Sequence, residues 1–104
     1  MIVAIASEGN DEKSMVSEIS GRAPYYLLYK DGKLIETIKN PFLVGGGAGF
    51  SVAQMLSNKK VDLVIAGEFG PNIKRVLDSK GIKMKSILGK TVEDVLGEID
   101  DGKA

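Results

Sequence analysis

The 104-residue chain is 43% hydrophobic, and its 14 basic side chains are balanced by 14 acidic ones; that is the size and composition of a single domain over residues 1–104, with no net field toward nucleic acid or an anionic membrane. It has neither cysteine nor histidine, which excludes disulfides, thiolate nucleophiles, Ser-His-Asp and Cys-His catalysis, and the usual zinc and iron–sulfur ligand sets. Apolar runs reach only about five or six residues, far short of a membrane span, and the Met1 start has no basic leader, so a cytoplasmic address is expected.

Residues 2–6 (Ile-Val-Ala-Ile-Ala) form an apolar run closed by the turn formers Ser7-Glu8-Gly9-Asn10, and read as a strand buried on both faces. Residues 7 to about 23 are polar and without a clear period, which predicts an irregular loop. Residues 24–30 are rich in aromatics and residues 33–39 partly alternate. Asp31-Gly32 between them suits a type I′ turn, so a β-hairpin is expected. Asn40-Pro41 stops its second strand, because proline brings no N–H to a ladder. Gly49, Val52, Ala53 and Leu56 recur at i, i+3, i+4 and i+7, the spacing of one helical face.

Residues 61–66 (Val-Asp-Leu-Val-Ile-Ala) read as a second buried strand. Pro71 and Asn72 open a helix with Ile73, Val76 and Leu77 on its apolar face and Gly81 as its stop. Residues 82–87 alternate with lysine, as suits a sheet edge. Thr91 caps the last helix with Asp94 answering from the third position, and Val92, Val95, Leu96 and Ile99 supply its buried stripe. Residues 100–104 form a polar tail. The order β, hairpin, α, β, α, β, α predicts an α/β fold: a mixed sheet of about five strands with one antiparallel strand and helices packed on its faces.

Gly45-Gly46-Gly47-Ala48-Gly49 leads straight into a helix. Glycines let backbone N–H groups approach a ligand, and helix N-termini attract anions. Neither phosphate fingerprint fits, since Phe50 and Val52 stand where a third glycine would be needed and no Gly-Lys-Ser/Thr follows. Flexible packing against the sheet explains the same glycines. The segment Gly67-Glu68-Phe69-Gly70-Pro71-Asn72 is a second strand-to-helix loop, expected at the same end of the sheet, where α/β proteins place ligands. Arg22 is one of two arginines in a lysine-rich chain, and its fork suits bidentate anion contacts. The candidate ligand-binding set is therefore Arg22, Gly45, Gly46, Gly47, Gly49, Gly67, Gly70 and Asn72. Glu8 and Glu68, after two adjacent strands, form an alternative carboxylate pair for a divalent ion and a hydrolase or nuclease. Tyr25, Tyr26 and Tyr29 read as hairpin packing residues, and Met15, Met55 and Met84 as core filler.

The order of these motifs resembles the dinitrogenase iron–molybdenum cofactor biosynthesis family. The likeness runs through the first apolar strand, Gly21-Arg22-Ala23-Pro24-Tyr25-Tyr26, the hairpin and Asn40-Pro41. It continues through the glycine-rich approach to Ala53-Gln54-Met55-Leu56, the strand ending Ile65-Ala66-Gly67, Gly70-Pro71-Asn72 and Thr91-Val92-Glu93-Asp94. The resemblance implies a ribonuclease-H-like three-layer α/β/α fold. It also implies an accessory carrier, not a catalyst, for the iron–molybdenum cofactor or an iron–sulfur precursor. Relatives carry histidines before the Phe-Gly-Arg segment and near the glycine-rich helix start; here Ile19-Ser20 and Gly45 to Gly47 stand there. A cluster would thus be held without imidazole or thiolate, by backbone N–H groups and Arg22. The alternative partners are a small anionic ligand or another protein, with no nucleic acid or membrane.

Overall fold

The computed structural model describes residues 1–42 and 48–99. Five strands form the main sheet in the order β4-β3-β1-β5-β7: β1 (Ile2–Ser7), β3 (Tyr25–Lys30), β4 (Lys33–Lys39), β5 (Leu63–Ala66) and β7 (Lys83–Ser86). β5 runs parallel to β1 and β7 parallel to β5, whereas β3 is antiparallel to both β1 and β4. One strand therefore opposes the other four, in a mixed sheet joined by α1 (Ala48–Asn58), α2 (Pro71–Ser79) and α3 (Val92–Ile99).

The alternation of β1 sorts the core onto two faces. Ala4 and Ala6 join Tyr26, Leu28 and Val64 against Val52, Ala53 and Leu56 of α1 and Ile73 and Leu77 of α2. Val3 and Ile5 join Leu27, Tyr29 and Ile65 against Val92 and Val95 of α3. Each fully buried Ile, Leu or Val contributes roughly 1.5–3 kcal/mol. The small Ala4, Ala6 and Ala66 on the first face leave room for two helices to pack close to the sheet.

Local chemistry sets the element ends. Asp31 and Gly32 both adopt positive φ (52° and 78°), as a type I′ turn requires. Past α2, Gly81 turns at φ 73° while its N–H reaches the Asp78 carbonyl and the Ile82 N–H reaches Leu77, closing the helix as a left-handed cap does. At α3, the Asp94 N–H donates to Thr91 Oγ1 at 3.2 Å and the Thr91 N–H to Asp94 Oδ2 at 3.4 Å, the reciprocal cap expected from the sequence.

Three expectations need correction. The stretch after β1 is not wholly irregular: Ile19–Ser20 forms β2, which pairs in parallel with β6 (Glu68–Phe69), and isolated bridges join Ser7 to Val16 and Met15 to Thr91. Two-residue strands carry no periodicity, so composition could not mark them. The strand after α1 begins at Leu63, because Lys60 at φ 63° and the Val61 N–H bonded to Leu56 still belong to the helix end. Met15 is 45% exposed and is not core filler, unlike Met55 and Met84, which pack on the first core cluster.

Candidate functional site

Because β1 and β5 are parallel neighbours, the segments leaving them emerge at one end of the sheet. The β2–β6 pair holds these segments together: the Gly67 N–H donates to the Ser17 carbonyl at 2.9 Å, and the Glu68 N–H to that of Glu18 at 2.6 Å. β6 leads into Gly70, which caps α2 through its backbone only, and Pro71 at the first turn has no N–H to offer. The N–H groups of Asn72 and Ile73 have no acceptor among the described residues.

The start of α1 meets this same point. A Cβ placed on Gly49 would lie 3.2 Å from the Ile73 nitrogen and 3.4 Å from Asn72 Cβ. The first turns of α1 and α2 therefore touch, and neither contains an acidic side chain. Two positive helix ends converge with no built-in counter-charge. The third strand of chain here is Gly21, whose φ of 98° favours glycine and whose Cβ would stand 3.6 Å from Gly49 Cα. Arg22 follows it, exposed, and among the described residues no ion pair engages its guanidinium.

Buried polar groups fix the Gly21 turn. Tyr26 is fully buried, and its hydroxyl accepts the Gly21 N–H at 2.6 Å. Asn40, 5% exposed, donates through Nδ2 to the carbonyls of Ala23 at 2.9 Å and Gly21 at 3.2 Å, while Oδ1 accepts the Phe42 N–H at 2.8 Å. Sequence reading took Asn40 for a strand stop and Tyr26 for packing. Nothing local in the sequence signals that both reach across to one turn.

Burial raises the Tyr26 phenol above its ordinary value of 10.0, opposed in part by the nearby Ser20 hydroxyl and the Gly21 N–H. The unfolded chain therefore ionises first. The stabilisation from the neutral phenol is complete below pH 10 and is lost as pH rises through the folded value. Tyr26→Phe should remove this alkaline dependence and cost about 1–3 kcal/mol at neutral pH, since it strands the Gly21 N–H. Urea denaturation of both proteins at neutral and alkaline pH checks both effects.

The candidate residues thus divide. Gly49 and Asn72 come together, with Gly21, the residue before Arg22, against Gly49 and with Gly70 in open space at the α2 cap. Gly45, Gly46 and Gly47 lie outside the described residues. Gly67 is near, but its N–H is committed to Ser17, and its lack of a side chain is demanded by Glu18 and Leu88 packed over it. Glu8 lines a small cavity of about 460 Å³ with Met15, Val16, Glu18, Leu88 and Gly89. The carboxylate sharing that cavity is Glu18 and not Glu68, which stands in β6 opposite Ile19. Among the described residues no group of three carboxylates is placed to hold a metal ion. Larger grooves lie between α2 and β7, about 690 Å³, and along α1 and α2, about 820 Å³; neither is lined by Arg22, Gly49 or Asn72. No helix among the described residues is long and apolar enough to cross a membrane.

Two solved structures share this architecture over nearly the whole chain. The apo form of the orange protein from Desulfovibrio gigas superposes with a TM-score of 0.88 at 25% identity, covering 98% of this chain and 88% of that one. A putative NifB protein from Thermotoga gives a TM-score of 0.83 at 34% identity, covering 98% and 89%. No curated protein matches the sequence. The profile of the family described as dinitrogenase iron–molybdenum cofactor matches residues 1–102, and with that match over nearly its full length the chain belongs to this family.

Proposed function

We propose that the protein is a non-catalytic accessory carrier that holds the iron–molybdenum cofactor, or an iron–sulfur precursor of it, as cargo. The observation that carries this reading is the convergence of the α1 and α2 first turns, free of acidic side chains, against the Gly21 turn that leads into the exposed Arg22. The N–H groups of Asn72 and Ile73, without an acceptor among the described residues, and the two helix dipoles favour an anion there. Family membership and the likeness to a putative NifB protein supply the class of cargo. With no histidine or cysteine in the chain, the cluster is retained by hydrogen bonds and electrostatics and not by ligation of its iron.

The same reading extends to the fold. The order β4-β3-β1-β5-β7 with β3 alone reversed, and helices on both faces, supports a ribonuclease-H-like three-layer α/β/α arrangement in one domain. A hydrolase built on Glu8 and Glu68 gains no support, since the cavity that Glu8 lines is lined by Glu18 and not by Glu68.

Arg22→Ala tests the site. Loss of one charged contact to an anion should weaken cofactor binding roughly tenfold or more while leaving the melting temperature unchanged, because Arg22 is exposed. Anaerobic titration monitored by absorbance measures it. Unchanged affinity in the variant would remove Arg22, and with it this placement of the cargo.

A further inference from the structure

The main sheet ends at β7, whose outer edge pairs with no strand among the described residues. The Lys83 N–H donates to the Asp62 carbonyl and the Ile87 N–H to that of Ala66. By the alternation of a parallel ladder, Lys83 and Lys85 turn their backbone groups toward β5, and Met84 and Ser86 turn theirs outward. This register is regular over all four residues. The opposite edge, β4, is blunted by a register shift against Leu28 and Tyr29. Alongside β7 runs the groove of about 690 Å³ between it and α2, with Phe69, Ile82 and Met84 as apolar lining and Lys74, Lys83 and Asp78 among the charged groups. Positive charge predominates here. Lys74, Lys83 and Lys85 are exposed, and among the described residues no ion pair engages them.

We propose that the β7 edge is a docking site for an extended acidic segment of a partner protein, which adds to the main sheet as a sixth strand. Met84 and Ser86 supply the main-chain hydrogen bonds through their outward N–H and carbonyl groups. The pleat then fixes the side chains of the added strand. Those opposite Met84 and Ser86 fall on the α2 face, beside the groove, and are apolar. Those opposite Lys83 and Lys85 fall on the other face and are carboxylates. A second copy of this chain does not suit. A two-fold pairing centred on Met84 sets Lys83 against Lys85, and one centred on Lys85 sets that lysine against its own copy. Lysines on an edge deter uncharged and basic strands, and the same charges select an acidic one. Arg22, Gly49 and Asn72 do not line this groove, so the surface is independent of the cargo site.

The test titrates the whole chain with a capped, fluorescein-labelled peptide, Glu-Val-Glu-Leu-Glu, and separately with Lys-Val-Lys-Leu-Lys. Anisotropy reads the affinity and amide NMR the place of binding. The glutamate peptide should bind roughly tenfold or more tightly than the lysine peptide, weaken as salt rises, and shift the Met84 and Ser86 amide signals most. Ser86→Pro removes an outward N–H that the β5 ladder does not use. It should melt within about 5 °C of wild type and bind the glutamate peptide about tenfold more weakly. Lys83→Glu combined with Lys85→Glu should reverse the preference toward the lysine peptide, a result that loss of folding cannot produce; should Ser86→Pro not fold, this reversal alone decides. Absence of glutamate-peptide binding, shifts centred elsewhere, an unreversed preference, or unchanged affinity in folded Ser86→Pro each overturns the proposal. Elution of wild type as a dimer that Ser86→Pro converts to a monomer also overturns it, since a second copy would then be the occupant.

Discussion

Gly67→Val should cost about 3 kcal/mol, the upper range for forcing atoms into a packed interior, and lower the melting temperature by roughly 10–20 °C. A Cβ at Gly67 would lie 2.6 Å from the Glu18 carbonyl oxygen and 2.9 Å from Glu18 Cα, and would also collide with the Leu88 side chain. Leu88 is 56% exposed and can swing away. Glu18 cannot, because the obstructing atoms are backbone held by the β2–β6 pairing and by the bonds from Gly67 and Glu68 to Ser17 and Glu18. Relief therefore requires separating β2 from the end of β5. Gly97, on the exposed side of α3, gives the opposite sign. No atom lies within 4 Å of its would-be Cβ, so Gly97→Ala should raise stability by roughly 0.5–1 kcal/mol through backbone entropy alone. Thermal and urea unfolding of the two variants checks both. A Gly67→Val protein as stable as wild type would mean that the β2–β6 pair is not a fixed part of the fold.

Asn40→Ala should cost roughly 2–4 kcal/mol, about 1 kcal/mol for each of three hydrogen bonds with an added penalty for buried groups left unmet. The Gly21 and Ala23 carbonyls lose their donor and the Phe42 N–H its acceptor. The consequence reaches the site, because those two carbonyls bracket Arg22. Asn40→Asp should be worse still, since it turns a carboxylate oxygen toward two carbonyls where a donor stood. Denaturation midpoints and ligand titration of Asn40→Ala should fall together. Retained stability would show that the Gly21–Ala23 turn is held by other means.

These two positions show where sequence reading stopped. The hairpin, the helices and the edge character of β7 were legible because each rests on local rules: the Asp31-Gly32 turn, the 3.6-residue spacing through Val52, Ala53 and Leu56, the Thr91–Asp94 cap and alternating lysines. The parallel pairing of β1 and β5 followed from the order of elements. What stayed hidden depends on contacts between distant segments. Gly67 looked like a ligand glycine because its need for a bare Cα comes from Glu18, forty-nine positions earlier. Asn40 and Tyr26 looked like a breaker and a packing ring because their partners lie across the Gly21 turn. The glycine-rich helix start and the Gly67–Asn72 loop were expected only to share an end of the sheet; the contact of the two helix starts through Gly49 and Ile73 is a property of the packed fold.

The central claim is that this chain carries an anionic metallocluster without histidine or cysteine. Its most direct test is an anaerobic titration with isolated iron–molybdenum cofactor, followed by gel filtration and measurement of molybdenum and iron per chain. The account predicts molybdenum co-eluting at close to one cofactor per chain, released as salt is raised because the retention is electrostatic. Protein that elutes free of metal, with the cofactor running separately at low salt, would contradict it.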